Sequence, residues 1–396
     1  MRCVRAALLV LLVAAVPAAA GDPVRALPAP QIAGAMLEPV AYDAIPGWRA
    51  DDARAAFTVF LNSCGALEQR PAETGPVSTP QLRAGLEAAC RNARALGPVV
   101  PDVTVARLFF EANFRPFRIV PERNPPGFLT GYYEPEVEGS ATRTAEFGVP
   151  VYARPDDLIA SRPASDGNRG AVMRREGDAL VPYHDRAGIE DGALAGRGLE
   201  VAWIAHPVDL FFMQIQGSAR IRLTDGRVLR LNYDGHNGYP YTPVGRILIE
   251  RGLVPREEMS MARIRQFIEA DPQAGRDLMR QNRSFVFFKA VPLSGDEGAL
   301  GAEGVPLTAG RSIAVDRHLH TYGSPIFIDA RLPLGGPAPQ DAFRRLMIAQ
   351  DTGSAIVGPA RADLFFGAGD SAAMVAGRIR HPGAFVLLAP RFAPAP

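Results

Sequence analysis

Three aspartates close or open short apolar runs late in the chain: Asp316 after SIAV, Asp351 after RLMIAQ, and Asp363 ahead of LFFG. A carboxylate at a strand end can donate or accept a proton, and its surroundings decide which. Asp363 precedes Leu364, Phe365 and Phe366. Partial desolvation there is expected to raise its pKa, which suits a general acid. Asp351 precedes Thr352, Gly353 and Ser354. Backbone N–H groups in such a turn are expected to hold it ionised. The triplet Asp351-Thr352-Gly353 is also the half-site signature of an aspartic protease. That chemistry needs two carboxylates sharing one proton. No second Asp-Thr-Gly or Asp-Ser-Gly exists, and Asp370-Ser371-Ala372 lacks the glycine. A protease would therefore require a homodimer, and it stays as the alternative. Any one of these aspartates, taken alone, also suits a turn or strand cap.

Other clusters point toward sugar. Thr130-Gly131-Tyr132-Tyr133 sets two phenols beside a glycine. Met213-Gln214-Ile215-Gln216-Gly217 reads as a strand, which would put Gln214 and Gln216 on one face. Asn232 to Tyr239 is dense in amides, rings and glycines. Rings suit the apolar faces of pyranoses, and planar amides suit their hydroxyls. Well-made turns explain the same residues equally well. His318 and His320 would share a strand face, but no HExxH or CxxC pattern accompanies them, so no metal or other cofactor is expected. Gln216-Gly217-Ser218-Ala219-Arg220 lacks the second glycine of a nucleophile elbow.

Three helices must come first. Ala53, Ala56, Phe57, Phe60, Leu61 and Cys64 fall on one helical face, as do Leu82, Leu86, Ala89 and Cys90. Val105, Leu108, Phe109 and Ala112 mark a third, capped by Asp102 or Thr104. Between about 117 and 232 the texture is short strands with turn signals, and Asp225-Gly226 marks a hairpin. Helices return between 243 and 281, and strands beyond 284. That order is not βα alternation. It predicts a mainly β, α+β protein with two β-rich parts, each closed into a barrel.

The 43 basic and 42 acidic residues nearly cancel, which argues against nucleic-acid binding driven by counterion release. Arg2 and Arg5, the apolar run Ala6 to Val16 and the small residues Ala18 to Ala20 form a secretion signal, with cleavage expected after Ala20. The run is too short to span a bilayer comfortably. Cys3 precedes it and no cysteine follows near the cut, so no lipid anchor is expected. Cys64 and Cys90 then remain, and an exported pair favours a disulfide. Closing that loop would be worth about 3 kcal/mol.

Several long segments carry a resemblance. GYYEP, FFMQIQGSARIRL, YDGHNGYPYTPVGRILIERG, NRSFVFFK, GVPLTAGRSIAVD and AQDTGSAIVGPARADLFFGAG, in order from about 120 to 390, resemble the membrane-bound lytic murein transglycosylase A family. The last two resemble its three-aspartate domain, whose namesakes would be Asp316, Asp351 and Asp363. The resemblance implies a double-psi β-barrel from residues 21–131 and 285–396, with a smaller barrel, 132–284, inserted. A groove between them would hold a peptidoglycan glycan strand. Asp363 would be the catalytic acid and Asp351 its neighbour. Thr130, Tyr132, Tyr133, Gln214, Gln216 and Asp316 are the expected substrate contacts. The implied reaction is non-hydrolytic cleavage with formation of 1,6-anhydromuramic ends. A non-catalytic glycan-binding wall protein remains a further alternative. An exported, periplasmic monomer, associated with the outer membrane or wall and open to wall-synthesis proteins as partners, completes the expectation.

Overall fold

The structure, a computed structural model, describes residues 24–26, 29–69, 80–97, 99–122, 126–160 and 172–394. The secretion signal and Cys3 lie outside the described residues.

After a short strand, Val24–Ala26, that pairs with Phe392–Pro394, come strand β1 (Ala35–Pro39) and helices α1 (Ala53–Gln69), α2 (Pro80–Ala95) and α3 (Val103–Asn113). On α1 the residues Ala53, Ala56, Phe57, Phe60, Cys64 and Leu67 are buried, a stripe of helical period. Asp102 caps α3, accepting from the Val105 N–H at 2.9 Å. A disulfide joins Cys64 to Cys90 across α1 and α2.

Strands β2 (Phe114–Pro121) and β3 (Phe128–Glu134) follow, and the chain then leaves for a second body. That body holds β4 (Glu136–Ser140), β5 (Val149–Tyr152), β6 (Glu200–Ile204), helix α4 (Pro207–Gln216), β7 (Ser218–Leu223) and β8 (Val228–His236). Helices α5 (Val244–Glu250), α6 (Met261–Ala270) and α7 (Pro272–Arg280) come next, then β9 (Val286–Ala290). The sheet runs β9-β8-β7-β4-β6-β5. Because β9 pairs with β8, the chain returns to the first body beyond residue 290, later than the expected boundary at 285.

The return brings β10 (Ser312–Val315), β11 (Pro325–Leu332), β12 (Asp341–Asp351), β13 (Arg361–Ala368), helix α8 (Gly369–Ala376) and β14 (Arg380–Pro390). Six strands close into a ring in the order β11-β12-β10-β13-β3-β14, with β14 pairing back to β11. Strands β2 and β1 extend the sheet from β14. The architecture is mixed α+β with β dominant.

Period-two alternation divides the ring. Leu129, Ile313, Val315, Ile326, Ile328, Met347, Ala362 and Leu364 form its interior. The outward residues Phe327, Leu346, Ile348, Val386 and Leu388 are covered by the three helices. Phe57, Phe60, Phe109, Phe110 and Phe114 meet there largely edge to face, as ring quadrupoles favour. Arg311 and Asp51 fasten the helices to the ring with a buried bidentate pair at 2.8 and 2.9 Å. The helices thus cover the outward face of β11, β12 and β14. The outward face of β3, β10 and β13 is free of them.

Two expectations fail here. FFMQIQ is helix α4 rather than a strand. Pro207 opens it, and Gly217, at φ +80°, stops it by donating to the Met213 carbonyl. A short, nearly continuous apolar run has no period of its own, so its flanking proline and glycine decide. His318 and His320 lie in a tight turn after β10, because the Leu319 and His320 N–H groups both bond to the Asp316 carbonyl.

Candidate active site

Four residues form a row across four ring strands: Thr130 on β3, Asp363 on β13, Ala314 on β10 and Asp351 on β12. Asp363 registers with Thr130 on one side and Ala314 on the other, and Ala314 registers with Asp351. Alternation turns Thr130, Asp363 and Ala314 outward, on the face the helices leave open. Asp351 joins them through the register shift beside Ala314, which interrupts the alternation that points Met347 and Ala349 inward. Tyr132 and Phe365, two residues along their strands, share that face and pack with Ala314.

Asp363 is half-buried. Burial raises its pKa above the ordinary carboxylate range, against the lowering charge of Arg361 and the Thr130 hydrogen bond. The Thr130 hydroxyl donates to Asp363 Oδ1 at 2.7 Å and accepts from Arg361 Nη2 at 2.8 Å. Only part of the apolar flank acts as expected. Phe365 shares the aspartate's face, whereas Leu364 points into the ring and Phe366 packs toward α8.

Asp351 holds its proton more tightly than its Thr-Gly turn suggests. The Ala302 N–H donates to Oδ1 and the Tyr132 hydroxyl to Oδ2, both at 2.9 Å. Burial still outweighs these bonds and pushes its pKa up to about 6, with the negative charge of Asp363 adding to the rise. Tyr132 is itself raised, chiefly by burial and then by Asp351. The geometry thus holds one outward carboxylate backed by a hydroxyl and a cation, and a second whose two oxygens are engaged.

The remaining candidates divide. Gln216 Oε1 accepts from the Tyr133 N–H at 3.1 Å, so it joins the inserted body to β3. Tyr133 is 9% exposed and packs against Ala372 and Ala376 of α8. Gln214 is 5% exposed and donates to the Val286 carbonyl inside the inserted body. Two residues on a helix lie about 200° apart, so the two glutamines face opposite ways. Asp316 is 5% exposed and accepts from the N–H groups of His318 and Gly358. It ties two loops together and does not line the row. His320 is buried and donates to the Pro359 carbonyl at 2.8 Å. Gly131 permits the close seat of α8, since a Cβ there would meet Ala376 Cα at 2.8 Å.

Sequence reasoning missed Arg361 and the Ala302 N–H. Arg361 stands two residues before Asp363, so strand alternation could have put both on one face. Ala302 lies in a loop with no motif, and only the fold brings it to Asp351.

Comparison with known proteins places this geometry. Residues 128–289 match the family described as MltA specific insert domain, and residues 311–389 match the 3D domain. The chain is 34% identical over 261 residues to the membrane-bound lytic murein transglycosylase A of Vibrio cholerae. That match covers 64% of this chain and 63% of the relative, so the chain spans a little under two thirds of that relative's length. The crystal structure of membrane-bound lytic murein transglycosylase from Agrobacterium tumefaciens superposes with a TM-score of 0.79 at 38% identity, covering 89% of this chain and 97% of that one. The structure of E. coli MltA with bound chitohexaose superposes with a TM-score of 0.63 at 26% identity, covering 94% and 96%. With nearly the whole Agrobacterium chain matched at that identity, this chain belongs to the membrane-bound lytic murein transglycosylase A family.

Proposed function

We propose that the protein is a peptidoglycan lytic transglycosylase in which Asp363 serves first as acid and then as base. Protonated Asp363 donates to the glycosidic oxygen between N-acetylmuramic acid and N-acetylglucosamine as the C1–O bond breaks. The resulting carboxylate takes the proton of the muramic C6 hydroxyl. That oxygen bonds to C1 and closes a 1,6-anhydro ring, with no water consumed. The raised pKa of Asp363 suits the first step, and the Thr130 hydroxyl backed by Arg361 suits the ionised form in the second. The related E. coli protein, solved with chitohexaose, supports a glycan strand as the ligand.

The observation that carries this reading is the unequal setting of the two carboxylates, Asp363 held through one oxygen and Asp351 through both. Asp351 lies across Ala314 from Asp363, two strand spacings away, about 9–10 Å between backbones. An aspartic protease shares one proton between carboxylates about 3 Å apart. Here Asp363 is hydrogen-bonded to Thr130, and Asp351 to Tyr132 and Ala302, which argues against a shared proton in a single chain. A hydrolytic glycosidase needs a second carboxylate, at about 5–5.5 Å for retention or about 6.5–9.5 Å for inversion, free to act as nucleophile or to activate water. Asp351 holds both oxygens in hydrogen bonds, a poor arrangement for activating water.

The disulfide supports an oxidising compartment outside the cytoplasm. No described helix is long and apolar enough to cross a membrane. Peptidoglycan glycan strands are the proposed partner, and a monomer the proposed state. Mass spectrometry of digested sacculi tests the reading. Anhydro ends, lighter by one water than hydrolysed ends, are expected. Asp363→Asn should lower their release about 10²–10⁴-fold while glycan binding persists. Hydrolysed ends, cleaved peptides or binding without any cleavage would each overturn it.

A further inference from the structure

Thr130, Tyr132 and Glu134 share one face of β3 by alternation. The first two hold Asp363 and Asp351. Glu134 is 1% exposed and has no part in the chemistry above. It accepts from Arg220 Nε at 2.8 Å and from Arg230 Nη2 at 3.0 Å. Both arginines belong to the inserted body, Arg220 on β7 and Arg230 on β8.

The same guanidiniums grip the returning chain. Arg220 donates to the carbonyls of Gly295 and Glu297, each at 3.0 Å. Arg230 donates to those of Ser294, at 2.6 Å, and Glu297, at 3.0 Å. The Arg220 N–H bonds to the Pro135 carbonyl, and the Val291 N–H to the Arg230 carbonyl. Both crossings between the bodies, at 134–136 and 291–297, therefore meet at one cluster. Glu134 registers with Ala368 of β13, so the cluster sits at the end of the strand pair that carries the site. A cavity lined by Arg220, Glu297, Leu307, Phe365 and Ala368 opens beside it.

We propose that Glu134, Arg220 and Arg230 are a positioning clamp that fixes the angle between the inserted body and the ring, and with it the width of the cleft over Asp363. Buried ion clusters add little net stability compared with apolar packing of the same volume, so directional hold is the better account of this one. Each guanidinium fork binds a carboxylate on the outgoing segment and carbonyls on the returning one, and planar forks tolerate little rotation. Elsewhere the bodies meet through Met261 against α8, the Gln216 bond to the Tyr133 N–H and the Arg380 Nη2 bond to the Glu257 carbonyl at 2.8 Å. None of these contacts is a planar fork, so without the clamp they hold the angle less firmly. The consequence for turnover rests on the proposed transglycosylase reading; the geometric claim does not.

Pulsed electron spin measurement on the full chain tests it. Spin labels go on cysteines replacing Val228 in the inserted body and Val357 in the ring, both exposed. The otherwise unchanged protein should give one narrow distance distribution. Glu134→Gln should broaden it and lower kcat/KM on glycan strands about a hundred-fold, with KM rising, while the pH limb set by Asp363 stays in place. Arg220→Gln, the less buried member of the cluster, should do the same in smaller measure and serves if Glu134→Gln does not fold. A lowered melting temperature with a narrow distribution and unchanged kcat/KM would overturn the clamp. Broadening in a protein that yields no anhydro product would uphold the clamp and sink the proposed reaction instead.

Discussion

Thr130 donates to Asp363 at 2.7 Å while its own oxygen accepts from Arg361, so a single hydroxyl carries the influence of a cation to the acid. Arg361 and Thr130 both lower the Asp363 pKa against the rise caused by burial. Removing either should raise it. The acid must be protonated, so the basic limb of kcat/KM should move to higher pH in Thr130→Val and in Arg361→Gln. Thr130→Ser should leave the limb in place. A pH–rate profile on isolated glycan strands reads this directly, and an unmoved limb in both variants would remove the relay from the mechanism.

Asp351 links stability to pH. Its folded pKa of about 6 lies above the ordinary carboxylate value. Such a group contributes stability below the unfolded pKa of about 3.9, and loses it as pH rises through the folded value. The melting temperature should therefore fall as pH rises from about 3.9 to about 6 and level off above, and Asp351→Asn should flatten that fall. A variant as pH-sensitive as the parent would mean another group is responsible.

Tyr132 donates to Asp351, a bond that holds the carboxyl's pKa down. Tyr132→Phe removes it and should carry the Asp351 transition to higher pH. Carbonyl-region infrared difference spectra, with Asp351→Asn as the blank, identify the band. A downward displacement would contradict the assignment.

Asp51 is buried against Arg311 and also accepts from the Leu346 N–H at 2.8 Å. Asp51→Ala would strand a guanidinium between the helices and the ring. The expected loss is about 3–5 kcal/mol in urea unfolding, larger than surface ion pairs produce. A loss under about 1 kcal/mol would show that water reaches the site.

Replacing Cys64 and Cys90 together by alanine should cost about 3 kcal/mol, since their bond closes 26 residues of sequence. Reduction of the parent should match the double variant in the same denaturation experiment. Agreement between the two confines the effect to the bond rather than to the lost side chains.

Much of this protein can be read along the chain. The α1 and α3 stripes, the Asp102 cap and the alternation that turns Asp363 and Phe365 to one side are local consequences of period and of backbone hydrogen bonding. Other features needed the closed ring. FFMQIQ has no distinct period, so Gln214 and Gln216 were assigned to one face and lie on two. Asp351 looked readily ionised from its Thr-Gly neighbours, but its pKa is raised by burial that no local window contains, and its partner Tyr132 is 219 residues away in sequence. Asp316 looked like its companions but is spent on the Gly358 loop. The sequence by itself determined which residues could carry a proton and, where alternation runs unbroken, which way a strand would turn them. Only the tertiary structure decided which of them stand in one row, because register between strands distant in sequence sets distances, and distance with desolvation sets proton affinity.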